Sequence, residues 1–303
     1  MEVITMGNLK YLLGPMRLPF LALTPACVLL GLGTAVWSSA QVSALYFILA
    51  LVGAICAHIS VNAFNEFLDF RSGLDFRTER TPFSGGSGTL PEKPELARQA
   101  LAVALIAFAI TSLIGLYFLR VRGLSLLPLG ILGLLVVVAY TPWFSRHPLL
   151  CLIAPGLGFG TLMVMGTGFV LTGEYSWTAF MASLVPFFLV SDLLLLNQFP
   201  DVEADQSVGR RHYPIIIGRR ASSLIYGAFM VLAYLSIVLG VSLGQMPRTC
   251  LIGLIVLVIA IPASVGAYRY AEDMNKLMPY MGLNVVISIV TPVLVAVGLI
   301  VAR

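Results

Sequence analysis

The stretch SALYFILALVGAICAHISVNAFNEFLDFRSGLD, Ser43 to Asp75, decides the architecture. Its first part, 43–65, is apolar over about the 20 residues that a helix needs to cross a hydrocarbon core of roughly 30 Å. Its end crowds Asn62, Asn65, Glu66, Asp69 and Asp75 into the place where hydrocarbon gives way to water. Working outward, comparable apolar runs lie at 18–38, 97–119, 124–143, 149–172, 178–199, 221–243, 249–268 and 283–301, nine in all with 43–65, in a chain that is 59% hydrophobic and 11% charged with a mean hydropathy of +0.96. Each is expected to be a helix, because lipid leaves no partner for bare backbone. The expected fold is therefore all-α, a polytopic membrane protein of nine transmembrane helices bundled around a central cavity open to the cytoplasmic side. It is read as a single domain, 1–303. The first run has no convincing small-residue cleavage site after it and reads as a span, not a signal peptide.

Charge sets the expected orientation. Fourteen of the eighteen Lys and Arg fall on one face: Lys10 and Arg17 before the first span, Arg98, Arg146, and those of the loops at about 66–96, 200–220 and 269–282. Arg120, Arg122, Arg248 and Arg303 fall on the other. The positive-inside rule puts the larger group, and the N-terminus, in the cytoplasm, and nine spans put the C-terminus outside. The net charge of +4 follows from this bias and gives no reason to invoke nucleic acid. Cys27, Cys56, Cys151 and Cys250 lie in or beside apolar spans without metal-ligand spacing and read as packing residues. No obligate protein partner is inferred.

A parallel repeat carries the chemistry. Asn65 and Asp69 close the second span; Asn197 and Asp201, each 132 residues later, close the sixth, followed by Asp205. Helical positions four apart share a face, so His58, Asn62, Asn65 and Asp69 form one polar stripe and Asn197, Asp201 and Asp205 another. Facing stripes bring Asp69, Asp75, Asp201 and Asp205 round one small cavity. Close carboxylates repel, and burial worsens the repulsion, so a cation must sit among them. Carboxylate and amide oxygens favour Mg²⁺ over zinc or copper. Mg²⁺ keeps positions for phosphate oxygens, and Arg77, Arg80, Arg146, Arg210 and Arg211 are expected on the same face. The SGGSG run, Ser84 to Gly88, is either a flexible lid or a cradle of N–H groups for an anion. A phosphate compound that needs a membrane bundle has a long apolar tail; a prenyl diphosphate fits. Mg²⁺ and arginine would stabilise the leaving diphosphate, and an aromatic wall, with Tyr140 as candidate, would face the allylic cation until an acceptor attacks.

The pair NEFLD…GLD and NQFPDVEAD resembles the UbiA superfamily of membrane prenyltransferases, which have nine transmembrane helices and aspartate-rich motifs on helices two and six. The resemblance covers essentially the whole chain. The ubiquinone and heme O branches usually show a four-residue step and then Arg-Thr; here residue 73 is Gly. The spacing Asn65, Asp69, Gly73, Asp75 looks like the menaquinone-synthesis branch, as does RLPFLALTPACVLLG from Arg17. The resemblance implies that Asn65, Asp69, Asp75, Asn197, Asp201 and Asp205 bind Mg²⁺–diphosphate and that Tyr140 and Arg146 contact substrate. Glu66 stands where that branch often has Asp.

The expected activity is Mg²⁺-dependent transfer of a prenyl group to an aromatic quinone precursor, with Asp69, Asp201 and Tyr140 central, Asn65, Asn197, Arg77, Arg80, Arg146 and Arg210 on the diphosphate, and lipid as surroundings. A glycerol phosphate acceptor is the alternative within the same chemistry; a divalent-cation transporter or channel is the alternative of another class. Blander readings stand beside these. The aspartates could be solvated helix ends, and loop arginines could serve topology alone. Asp192, about 180° round the helix from Asp201, is read as a partner of another helix or an aid to the acceptor. His58 either takes a proton from the acceptor or hydrogen-bonds within the bundle.

Overall fold

The computed structural model describes residues 13–38 and 41–303; Lys10, counted in the charge bias, lies outside them. Among the described residues all regular structure is helical. Two 3₁₀ turns, Gly14–Met16 and Leu18–Ala22, lead into α1 (Leu23–Ser38). The bundle continues with α2 (Ala44–Ser72), α3 (Ala97–Arg122), α4 (Leu127–Ala139), α5 (Pro148–Thr172), α6 (Trp177–Asn197), α7 (Arg219–Ser242), α8 (Leu257–Arg269) and α9 (Met274–Val301). Eight of these, counted with their leading 3₁₀ turns, are long and apolar enough to cross a membrane. Outward-facing Leu113, Leu224, Val231, Ile255 and Val258 are each more than 60% exposed, which in water would be an aggregation surface and in a bilayer is the lipid contact. The protein is an integral membrane protein.

Local chemistry sets the helix ends. Ser43 caps α2 by accepting from Tyr46 N–H, and Ser176 caps α6 by accepting from Ala179 N–H. Two expected boundaries move. The second span continues past residue 65 to Ser72, so the loop begins at Gly73, whose φ of 77° only glycine adopts readily and whose N–H satisfies Asp69 and Phe70 carbonyls. The fourth expected span, 124–143, is a shorter apolar helix, Leu124–Ala139, of which the first three residues are a 3₁₀ turn. Pro142 disfavours helix at Thr141, and Ser145 N–H turns back to the Tyr140 carbonyl at 3.0 Å. The loop expected at 269–282 shrinks to a few residues, because Asp273 caps α9 by accepting from Lys276 N–H.

The cavity is lined by residues of α1 to α6 and of the loops that follow α2 and α6, and none of its lining residues comes from α7, α8 or α9. Helix α9 packs on α1, α6 and α8, and α6 on α7, into a solid core built on residues such as Ala233, Ala260, Ala263 and Ala267, all fully buried. Small residues let these backbones approach closely. Helices α2, α3 and α4 are less buried and stand off from α5, and the large cavity opens there. The sequence repeat therefore relates two halves with different packing, one solid and one hollow.

Candidate active site

The cavity holds about 570 Å³, within the range of roughly 300–1,000 Å³ common for ligand sites. Asn62, Asn65 and Asp69 line it from the last turns of α2. After Gly73 a 3₁₀ turn, Leu74–Phe76, brings Asp75 to the same wall. The second motif arrives from α6: Asn197 on its last turn, then Asp201 and Asp205 flanking and within a short helix, Val202–Ser207. Asp69, Asp75 and Asp205 are all buried.

One guanidinium joins the two motifs. Arg210 donates from Nη1 to Asp205 Oδ1 at 2.9 Å and from Nη2 to Asp69 Oδ1. His212 Nε2 meets the other Asp205 oxygen at 2.9 Å. Burial opposes ionisation of Asp205, but Arg210 and His212 outweigh it and hold its pKa below the usual carboxylate range. Burial likewise opposes charge on Arg210, and the Asp69 and Asp205 charges outweigh it and raise its pKa. Asp75 is pushed up to about 7 by burial and by the charges of Glu66 and Asp69. Asp201 is pushed up to about 7 by burial and by Asp205.

The donor set suits a hard cation. Asp75 Oδ2, Asp201 Oδ1 and Asn197 Oδ1 are buried oxygens without a hydrogen-bond partner. Buried acceptors of this kind are costly unless something fills them. Among the described residues no three Asp, Glu, His or Cys side chains converge as a ready-made metal cage. Asn65, by contrast, is already engaged: its Oδ1 accepts from Arg17 at 3.0 Å and its Nδ2 donates to Thr141 at 3.2 Å.

The arginines divide. Arg210 lines the cavity. Arg77 is exposed and donates to Ser207 Oγ at 3.0 Å, Arg80 pairs with Glu92 at 3.2 Å, and Arg146 is exposed; none of the three is among the lining residues. Arg17, which in the sequence added to the charge bias and opened the RLPFLALTPACVLLG stretch but was not expected at the site, lines the cavity, and its Nε is buried without a partner. Its Nη2 also contacts Glu66 at 3.5 Å. Glu66 is fully buried and receives Ser87 N–H at 3.1 Å together with the Ser87 hydroxyl. Sequence spacing hides Glu66 and Arg17 because their partner, Ser87, comes from a loop whose path only the fold defines. In that loop Ser84 and Gly85 line the cavity with Asp201, and their polar groups act against the rise in its pKa. Gly86, with φ of 73°, lies so near Asp75 that a Cβ would sit 3.1 Å from its carboxylate.

Tyr140 lines the cavity near the motifs, beside Cys151, which accepts from Gln198 Nε2 at 3.2 Å. His58 is buried, pairs through Nδ1 with Thr24 at 2.8 Å and stands edge-to-face with Phe159, 4.6 Å between ring centroids. Phe159 belongs to a π-helical turn of α5, Leu157–Leu162, a distortion frequent at functional sites. Asp192 points away from the cavity. It is fully buried, its carboxylate oxygens have no partner, and Asn284 reaches only its backbone carbonyl, at 3.4 Å.

Fold and site together define an all-helical membrane protein with an acid-floored intramembrane cavity. Its fold is that of a UbiA homolog from Aeropyrum pernix K1, with a TM-score of 0.71 at 18% identity over 95% of this chain and 98% of that one. A UbiA homolog from Archaeoglobus fulgidus bound to DMAPP and Mg²⁺ gives a TM-score of 0.60 at 16% identity, covering 97% of this chain and all of that one. A 1,4-dihydroxy-2-naphthoate octaprenyltransferase of Bacillus subtilis is 26% identical over 65% of this chain, which spans 63% of that relative. A digeranylgeranylglyceryl phosphate synthase of Pyrococcus furiosus is 26% identical over 71% of this chain and 72% of its own length. Residues 24–286 match the UbiA prenyltransferase family, and the chain belongs to it.

Proposed function

We propose that the protein transfers a prenyl group from a prenyl diphosphate to an aromatic quinone precursor inside the membrane, with Mg²⁺ as cofactor. The observation that carries this reading is the cluster of unpartnered oxygens on Asp75, Asn197 and Asp201, beside Arg210, at the head of a long apolar cavity. In this reading Asp69, Asp75, Asp201, Asp205 and Asn197 supply the metal's ligands, with Asn65 orienting Arg17 alongside. Bound Mg²⁺ would neutralise charge on the departing diphosphate. Arg210 and Arg17 bind its oxygens, while Arg77, Arg80 and Arg146 add to the potential at the entrance. The bond between the allylic carbon and the diphosphate oxygen breaks, the acceptor carbon bonds to the allylic carbon, and a proton leaves the acceptor. Tyr140 and Phe159 offer π faces to the developing cation and help keep water out.

The whole chain acts as one domain in this reading, with α4 as a ninth crossing. Parity supports that crossing: Arg210 links the ends of α2 and α6, so an even number of crossings separates them. The arginine bias then puts the site and the N-terminus on the cytoplasmic side and the C-terminus outside.

The similarity to the naphthoate octaprenyltransferase supports the aromatic acceptor, and that to the glyceryl phosphate synthase supports a glycerol phosphate lipid as second reading. Purified protein with Mg²⁺ and geranylgeranyl diphosphate is expected to release diphosphate when dihydroxynaphthoate is added, and to stop when Mg²⁺ is chelated. Release only with a glyceryl phosphate acceptor would move the assignment to the second reading. No release with either, alongside Mg²⁺ flux in proteoliposomes, would overturn the transferase reading.

A further inference from the structure

The helical glycines fall into two kinds. On the packed side they let backbones touch: a Cβ on Gly156 would stand 2.0 Å from the Phe187 carbonyl, one on Gly160 2.4 Å from Phe187 N, and one on Gly298 2.7 Å from the Thr249 carbonyl. Gly115 of α3 and Gly130 and Gly133 of α4 have no such reason. A Cβ on Gly115 or Gly130 meets nothing within 4 Å, and one on Gly133 meets only Leu162, at 4.0 Å. All three line the cavity. Each costs its helix about 1 kcal/mol relative to alanine, with no packing gain in return. Gly227 is equally open but is not among the residues that line the cavity.

The same cavity ends in unpartnered, buried oxygens of Asp75 and Asp201, so its apolar length leads away from a site with unmet demand for a ligand head. Along α2 the lining runs from Asp69 to Ala50, roughly 28 Å at the helical rise. On α4, Gly133 lies about 10 Å and Gly130 about 15 Å from Tyr140 along the helix axis. On α3, Gly115 is one turn beyond Thr111, whose hydroxyl reaches the Gly53 carbonyl of α2 at 3.0 Å, which puts it near the far end.

We propose that Gly133, Gly130 and Gly115 set the bore of the tail channel at successively greater depth, and so let the protein accept prenyl chains much longer than geranyl. This rests on the prenyl-transfer reading above. A side chain added at each depth would bar chains that extend past it and spare those that end before it.

The test is a leucine at each position, with alanine as the smaller step, and kcat/KM for geranyl, geranylgeranyl and octaprenyl diphosphates with dihydroxynaphthoate. Gly115→Leu is expected to shift selectivity away from octaprenyl by about tenfold or more, in line with pocket discrimination of small apolar increments. Gly130→Leu is expected to shift it away from geranylgeranyl as well, and Gly133→Leu to depress all three, the longest most. The alanine series should follow the same order with smaller shifts. Parallel losses for all three substrates at every position would mean that the glycines serve packing alone, and would overturn the inference while the prenyl-transfer reading stood. A parent protein inert with all three diphosphates and either acceptor would remove both.

Discussion

Asp201→Ala is expected to abolish turnover while the protein still folds. Asp201 Oδ1 is buried with no hydrogen-bond partner, and burial together with Asp205 already disfavours its charge. Oδ1 makes no hydrogen bond and Asp201 is only half-buried, so the substitution relieves repulsion with Asp205 and does not open a packed core. A group kept at such a cost is expected to act on a ligand. If it holds Mg²⁺ against the departing diphosphate, its loss should lower kcat by about 10²–10³ or more, the scale for a preorganised electrostatic partner. The check is kcat with saturating Mg²⁺ beside a thermal unfolding curve. Near-normal activity would mean that the metal is elsewhere. Asp69→Ala should be as inactive but less stable, because it also strips Arg210 of a partner.

The same acids give the reaction a pH signature. Asp75 and Asp201 are both held near 7, so below that pH they are protonated and offer a cation little, whereas above it both carry charge. Protons and Mg²⁺ compete for these oxygens, so below about pH 7 the apparent Mg²⁺ affinity should rise with pH, by about tenfold per unit for each proton displaced, and level off above it. Mg²⁺ titrations of activity on either side of neutrality test this; a half-saturating concentration that does not move with pH would contradict it.

Arg210→Ala is expected to be the most destabilising single change at the site. Arg210 spans Asp69 and Asp205, with side chains of the three residues no more than 17% exposed. Removing one partner from a buried ionic cluster costs about 3–5 kcal/mol, because the remaining charges are left without solvent or counter-ion. Here two carboxylates are stranded, with only His212 to compensate one of them. The unfolding midpoint in detergent should drop clearly, and Asp205→Asn added to Arg210→Ala should recover part of the loss, since that double variant removes one stranded charge. An unchanged midpoint would show that the ion pair contributes nothing net. Activity should be lost as well, because Arg210 is the cavity-lining arginine that touches both motifs.

Apolar runs separated by charged loops were enough to specify a helical membrane bundle, because the length of a span is fixed by hydrocarbon thickness and by the need to satisfy backbone within one helix. Repetition at an interval of 132 residues was enough to pick out Asn65, Asp69, Asn197 and Asp201, since helical periodicity puts residues four apart on one face whatever the surroundings. Where a helix stops depends on single residues as well as on hydropathy, which is why α2 outran its expected end until Gly73 and α4 stopped short of Pro142. Which arginine serves the site was beyond periodicity altogether. Arg77, Arg80, Arg146 and Arg210 look alike in sequence, and Arg17 looks like a topology marker. Only packing brings Arg210 and Arg17 to the cavity and leaves the other three outside its lining. The hollow lies among α2 to α5 for the same reason: small residues close the α6–α9 half, and whether a glycine seals a contact or widens a channel depends on what stands opposite its missing side chain.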